Sequence, residues 1–265
     1  MKTFLAAFAV AAVLAASASA APPTTKTPGV LTVGLAMPAA GFQVGAVRGR
    51  NVVLAKGLEI DLARILARRL GIQRVRFLNE RFFSTLLTPG AKDWDLALAE
   101  ISISPVRAQR VDFSRPYLTA DQGVVLRRGL AIKPASIAAL RSLKLCAERA
   151  TTGAQVLVKR IKPKKSPLLL NDPSDLSYAL FTKRCDAIVA DAPALAVLRR
   201  QAPDRYGALA GRIVTREKYA IAYEKGSQLR PPIDAVLRQL RADGTLAQLR
   251  RRWLGVDTAT LPALR

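Results

Sequence analysis

Hydrophobic positions along this chain follow two alternating periods. Leu31 to Ala36 is almost continuously apolar and reads as a buried strand. Leu58, Leu62, Ile65, Leu66 and Leu70 then recur at helical spacing and stop at Gly71. Val75–Leu78 reads as a strand, Phe82–Leu87 as a short helix and Asp95–Ala99 as a strand. The same alternation returns downstream. Strands are expected at Leu143–Ala147, Pro167–Leu170 and Asp186–Ala190, and helices at Thr152–Arg160, Ser174–Phe181 and Pro193–Arg200. A last strand, Tyr219–Tyr223, precedes helices near Pro232–Leu240 and Leu246–Trp253. Strands alternating with helices predict an α/β fold with mainly parallel sheets, and two such units in tandem predict two lobes.

The densest chemistry lies between Ala99 and Tyr117. An apolar run, Leu96 to Leu98, ends in the hydroxyl residues Ser102 and Ser104, with Pro105 next and Arg107 close behind. Ser104 can cap a helix whose first residue is Pro105. A helix start presents free N–H groups, and Arg107 adds a planar charged fork. Together they can make a carboxylate receptor; a plain strand–turn–helix with a surface arginine fits the spacing equally well.

The segment resembles the signature of the family 3 bacterial solute-binding proteins, the amino-acid-binding components of ABC importers. That family reads G-x-x-I-T-P-x-R and then x-D-F-S-x-P-Y. The matching residues are Ile101, Ser102, Ile103, Ser104, Pro105 and Arg107, then Val111, Asp112, Phe113, Ser114, Pro116 and Tyr117. Lys56 to Ala63 resembles the family's G-F-x-x-D-L-A block, and Arg241–Thr245 with Trp253 and Gly255 its C-terminal block. The resemblance covers residues 29–256. It implies a type II periplasmic-binding-protein fold with a ligand cleft between two lobes. The chain would cross between them near Thr119–Gln122 and Val214–Lys218. Lobe one would be 29–120 plus 218–258, lobe two 121–217, and 259–265 a C-terminal tail.

The same resemblance assigns ligand roles. Arg107 would pair with the α-carboxylate of an amino acid, and Ser102 would bond its carboxylate or amino group. Thr151 and Thr152 would present a second helix start to the carboxylate, and Asp191 would take the α-ammonium. Phe42 would wall the pocket or pack beside it. Thr151, Thr152 and Asp191 can equally serve as plain helix caps. The implied partners are a small amino-acid ligand and an ABC permease, with a monomeric chain and no cofactor or metal. The departures bear on the ligand. Ala39 stands where many members have an aromatic, leaving Phe82 or Phe83 to supply a wall. Ala36 stands where members that bind cationic amino acids carry Asp. Glu100 stands at a usually small position, and Glu148 and Arg149 precede Ala150. Glu100 and Glu148 could bind a cationic side chain or pair with nearby arginines. Arg48 or Arg50, in a long loop Gln43–Ala55, could serve an acidic one. A polar amino acid is the expected ligand. The alternative is an exported cyclohexadienyl (prephenate/arogenate) dehydratase on the same fold, with Glu100 as general acid.

Composition narrows this further. Lys2, the apolar run Phe4–Ala16 and Ala18-Ser19-Ala20 form a secretory signal peptide, with cleavage expected after Ala20 and a mobile linker at 21–28. No cysteine follows the cut, so no lipid anchor is expected, and the mature chain should be periplasmic. With no histidine, the chain cannot use Ser-His-Asp or Cys-His catalysis or a histidine-ligated metal. Cys146 and Cys185, the two cysteines, can bridge in an oxidising compartment or remain buried thiols. The net charge of +23 is dispersed over polar helix faces, and no nucleic-acid motif accompanies it.

Overall fold

The computed structural model describes residues 21–130, 136–255 and 257–265; the expected signal peptide and its cleavage site lie outside the described residues. The chain runs through β1 (Val30–Leu35), β2 (Val44–Arg48), β3 (Asn51–Lys56), α1 (Leu58–Arg69), β4 (Arg74–Asn79), β5 (Leu96–Ala97), α2 (Pro105–Ala108) and β6 (Asp112–Phe113). The long strand β7 (Leu118–Arg127) leads to α3 (Ile137–Leu140), β8 (Leu145–Glu148), α4 (Thr152–Val156), β9 (Leu168–Leu170), α5 (Pro173–Phe181), β10 (Ala187–Asp191) and α6 (Ala192–Gln201). A second long strand, β11 (Tyr206–Tyr219), returns to β12 (Ala222–Tyr223), α7 (Arg230–Ala242) and α8 (Thr245–Trp253).

Two sheets result. One has the order β2-β3-β4-β1-β5-β12-β6 and the other β11-β7-β10-β8-β9. Parallel pairing is confined to β4-β1-β5 and β10-β8-β9, and the flanks are antiparallel. The expectation of mainly parallel sheets is corrected on this point: hairpins and returning strands add to edges that helical crossovers leave open. The segment Gln43–Ala55, expected as a loop, contains most of the β2–β3 hairpin. Its exposed, irregular pattern hides a strand period because β2 has little to bury.

The first core gathers Leu31, Val33 and Leu35 of β1 against Leu62 and Leu66 of α1 and Ile233 and Leu240 of α7. Gly57 makes the turn into α1 at φ +132°, and a Cβ there would lie 2.0 Å from the Phe42 carbonyl oxygen. That close approach seats Phe42 in the core. Trp253 donates its indole N–H to Asp61 at 2.9 Å and ties α8 to α1. The second lobe buries residues on both faces of its sheet, with Leu145, Ala147 and Val189 on one and Cys146, Ile188 and Leu180 on the other.

The segment before β1 and the last residues of the chain are both held. The Lys26 amide donates to Asp95 at 2.7 Å, so the linker is anchored at its far end. Leu264 is buried in the second lobe's core, and the Arg212 amide donates to the Pro262 carbonyl at 2.8 Å, so the last residues pack rather than trail. Cys146 and Cys185 are joined as a disulfide with Cα atoms 6.0 Å apart, closing a loop of 39 residues. Chain-entropy arguments put the stabilisation from such a loop at roughly 4 kcal/mol. Replacing both cysteines with alanine should lower the urea midpoint by a large fraction of the total stability while leaving the circular dichroism spectrum native.

Candidate functional site

The cleft is built from the ends of strands. Ser104 caps α2, its hydroxyl accepting the Arg107 amide at 3.3 Å, and Pro105 takes the first helical position. This turns the Arg107 side chain back across the end of β5. It is 6% exposed and lies with its guanidinium carbon 5.0 Å from the Phe83 ring centroid. One terminal nitrogen donates to the Ser102 carbonyl at 2.8 Å and the other to the Ala150 carbonyl at 3.2 Å. Arg107 therefore spans the gap between the lobes. Of Phe82 and Phe83, the two aromatics considered as a wall in view of Ala39, Phe83 lines the cavity together with Ala36 and Ala39, and Phe82 does not.

Lobe two faces this with the start of α4. Thr151 is the helix cap: its hydroxyl accepts the Ala154 amide at 3.2 Å and donates to the Glu148 carbonyl at 2.6 Å. The Thr152 hydroxyl points inward and donates to Glu217 at 2.6 Å. Asp191 stands at the start of α6, but its carboxylate makes no capping bond there. It instead accepts from the side-chain amide of Gln122, which is completely buried on β7. The same Gln122 nitrogen donates to Glu217 at 2.8 Å. Glu217, on β11, also accepts from the Ser102 hydroxyl.

The floor holds a stack of acids. Glu59, completely buried on α1, accepts from Gln43, from the Tyr117 hydroxyl and from the Glu100 amide at 2.7 Å. Above it Glu100 takes φ +51°, an uncommon backbone for a side-chain-bearing residue. Its Oε2 is buried with no hydrogen-bond partner among the described residues. Burial, then Asp191, Glu59 and Glu148, hold its carboxyl well above the ordinary range. Burial and the neighbouring Asp191 and Asp172 push Glu148 up to about 8. Burial and Glu217 likewise push Asp191 up to about 7, against the opposing pull of Gln122 and Arg107. Burial lowers the Arg107 pKa, while Asp191 and Glu217 favour its charged form.

Several of these groups line a cavity of about 450 Å³ that continues between α5 and α6, past Leu176, Phe181, Leu195 and Tyr206. Glu100, Arg107, Gln122, Glu148, Thr151, Thr152 and Asp191 line it, whereas Ser102 does not and bonds Glu217, which also stands outside the lining. Phe42 does not line it; the ring is fully buried 6.2 Å from that of Tyr219 and packs beneath the site. The ion pairs considered for Glu100 and Glu148 are absent among the described residues. Arg149 instead bonds Asn171 and the Leu169 carbonyl. Arg50 is engaged with Glu80 and Asp93, and Arg48 is exposed on β2, so neither lines the cavity. Sequence reasoning missed Gln43, Glu59, Gln122 and Glu217. Among the described residues no cluster suits a metal ion, and no helix is long and apolar enough to cross a membrane.

Residues 31–256 match the model of the bacterial extracellular solute-binding proteins, family 3. The chain belongs to that family. The ABC transporter glutamine-binding protein GlnH of Bacillus subtilis is 29% identical over 211 residues, 77% of this chain and 74% of that one. An ancestral arginine-binding protein bound to glutamine superposes with a TM-score of 0.75 at 27% identity, covering 87% of this chain and 100% of its own. The ancestral amino-acid-binding protein AncCDT-1, described as a precursor of cyclohexadienyl dehydratase, gives 0.71 at 27% identity, with coverage of 85% and 95%. The two-lobed α/β architecture is that of these solute-binding proteins.

The raised carboxyls set a pH dependence for this family member. Unfolded, Asp191 and Glu148 ionise near 3.8 and 4.5; folded, they hold their protons to about 7 and 8. Between those limits the folded state binds more protons, so stability falls as pH rises. Carboxyls held low, such as Asp93 and Asp121, lose their contribution only below 3.8. The chain has no histidine to titrate in the window. Urea unfolding of the ligand-free protein should show lower stability at pH 8 than at pH 5; equal or greater stability at pH 8 would contradict the acid stack.

Proposed function

We propose that this protein is an exported, monomeric binding protein that captures a polar amino acid between its lobes and delivers it to an ABC permease. The observation that carries the reading is the meeting of Arg107, from one lobe, with Ala150 and Asp191 of the other above the open carboxyl of Glu100. In this reading Arg107, Ser102 and Thr152 receive the α-carboxylate, and Asp191 receives the α-ammonium. Glu100 and Glu148 receive a cationic side chain, which makes arginine or lysine the favoured ligand. A cation among these acids offsets a desolvation cost that the empty cleft relieves by protonation. Contacts to both lobes exist together only when the lobes are closed, so ligand shifts the population towards closure. The lobe limits 29–120 with 218–258 and 121–217, the export signal cut after Ala20 and a periplasmic location belong to the same proposal. The names of the glutamine- and arginine-binding relatives support it.

The mature chain should be unfolded, refolded to remove carried ligand, and melted against free amino acids. Arginine or lysine should raise the midpoint in proportion to excess over Kd. No shift with any amino acid would overturn the proposal. Arg107→Ala should weaken the binding found by at least about 2 kcal/mol, as loss of one side of a buried charge pair does. Unchanged affinity would remove Arg107 from the site.

A second reading is favoured by one feature: a carboxyl kept protonated at the cleft floor is also what a general acid requires. Glu100 would then serve a prephenate-type dehydratase, a chemistry named for the descendant of AncCDT-1. Incubation with prephenate or arogenate should give no aromatic product under the binding proposal, and Glu100-dependent product would replace it.

A further inference from the structure

The cavity is longer than the cleft. From the acids it runs on over one face of the second sheet, in the gap between α5 and α6. Strand alternation decides what it meets there. Ile188 pairs with Cys146 in the β10–β8 register, so Ile188 and Ala190 share a face with Cys146 and Glu148. Leu176 of α5 and Leu195 of α6 pack against that face, whereas Val189, Leu145 and Ala147 turn towards α4. Asp191 and Thr152 therefore stand on the α4 side, and Glu148 stands at the head of the arm between α5 and α6.

The walls of this arm are apolar: Leu176 and Phe181 from α5, Leu195 and Leu198 from α6, and the Tyr206 ring. The Ser177 and Tyr206 hydroxyls along it bond each other at 2.7 Å. At its outer end the Arg205 guanidinium lies 5.9 Å from the centroid of the half-exposed Phe181 ring. The Cys146–Cys185 disulfide ties β8, on the floor, to the segment that follows α5. Glu148 heads the arm with a half-buried carboxyl that has no hydrogen-bond or ion-pair partner among the described residues. Interiors pack to the density of organic crystals, and an unfilled apolar space beside a core costs stability. Cavities of about 300–1,000 Å³ take drug-sized molecules, so about 450 Å³ exceeds what one free amino acid fills.

We propose that the arm between α5 and α6 is a subsite for an apolar group carried on the side-chain nitrogen of the cleft ligand, so that the preferred occupant is an N-alkylated basic amino acid rather than free lysine or arginine. The inference deepens the amino-acid reading above and rests on it. Such a ligand keeps its α-carboxylate for Arg107 and its α-ammonium for Asp191. Alkylation leaves the side-chain nitrogen charged, so Glu148 meets a cation where the arm begins. The substituent then passes from water to the apolar walls, and that transfer supplies the gain over the free amino acid.

The probes are L-lysine and Nε-benzyl-L-lysine, which share every charge and differ by one apolar group. Both are titrated calorimetrically into the refolded mature chain and into its Leu198→Trp and Ser177→Leu variants, which fill the arm from α6 and from α5. The ratio Kd(lysine)/Kd(benzyl-lysine) should be at least about ten in the unsubstituted chain, the effect of burying an aromatic ring. It should fall at least about fivefold in each variant, because the added bulk takes the place of the ring. Either variant decides the matter should the other not fold. A smaller ratio in the unsubstituted chain, with lysine still bound, overturns the proposal and leaves the cleft reading standing. A high ratio that the folded variants do not lower overturns it as well, since the ring then lies outside the arm. Failure of both probes to bind the unsubstituted chain overturns the two readings together.

Discussion

Carboxylates gathered in a cleft with too few cations must either take up protons or wait for a counter-ion, and much of this structure follows from that. Glu59, Glu100, Glu148, Asp191 and Glu217 approach one another around Arg107. Arg107 brings one positive charge, which pulls against the raised Asp191 but is too little to neutralise five acids. Burial and mutual repulsion keep several of these acids protonated, and a bound cation would let them ionise. The excess of acid is local. The chain as a whole is strongly basic, with +23 dispersed over its surface, so the selectivity proposed for the cleft cannot come from the long-range field.

Supporting layers keep the acids in place. Gln43, Tyr117 and the Glu100 amide satisfy Glu59 from three sides, which fixes the cleft floor to α1. The paired strands β7 and β11 carry Gln122 and Glu217 into the gap, while their far ends pack in the second lobe. Leu118 and Tyr219 sit in the first lobe's core, so the same two strands join both cores. Any relative movement of the lobes therefore acts on the strands that hold Gln122 and Glu217. In the proposed function, ligand capture and lobe closure share one set of side chains.

The fold was legible wherever burial imposed a period. The continuous apolar run of β1, the helical recurrence in α1 and the Ser-Pro start of α2 all carry their own physical signal. The β2–β3 hairpin escaped because its outer strand is exposed, and β7 and β11 escaped because they pass between environments, with bulges that break alternation. At the site, Arg107, Thr152 and Asp191 stood at element ends where backbone chemistry marks them. Glu59 stood unmarked inside the Lys56–Ala63 block, and Gln122 at the end of an expected crossing between lobes. Their partners are 16 to 95 residues away, and no local pattern encodes that. Phe42 shows the converse: an aromatic beside the site was visible, but its burial beneath the cavity depends on the close approach of Gly57.

The central claim is that the cleft holds protonated carboxyls that ionise when a cation arrives. Calorimetric titration of the refolded mature chain with L-arginine near pH 6.5, repeated in buffers of different ionisation enthalpy, counts the protons exchanged on binding. The account predicts net proton release, since Asp191 and Glu148 are pushed up to about 7 and 8 without ligand. Binding with no proton release, or with uptake, would contradict it.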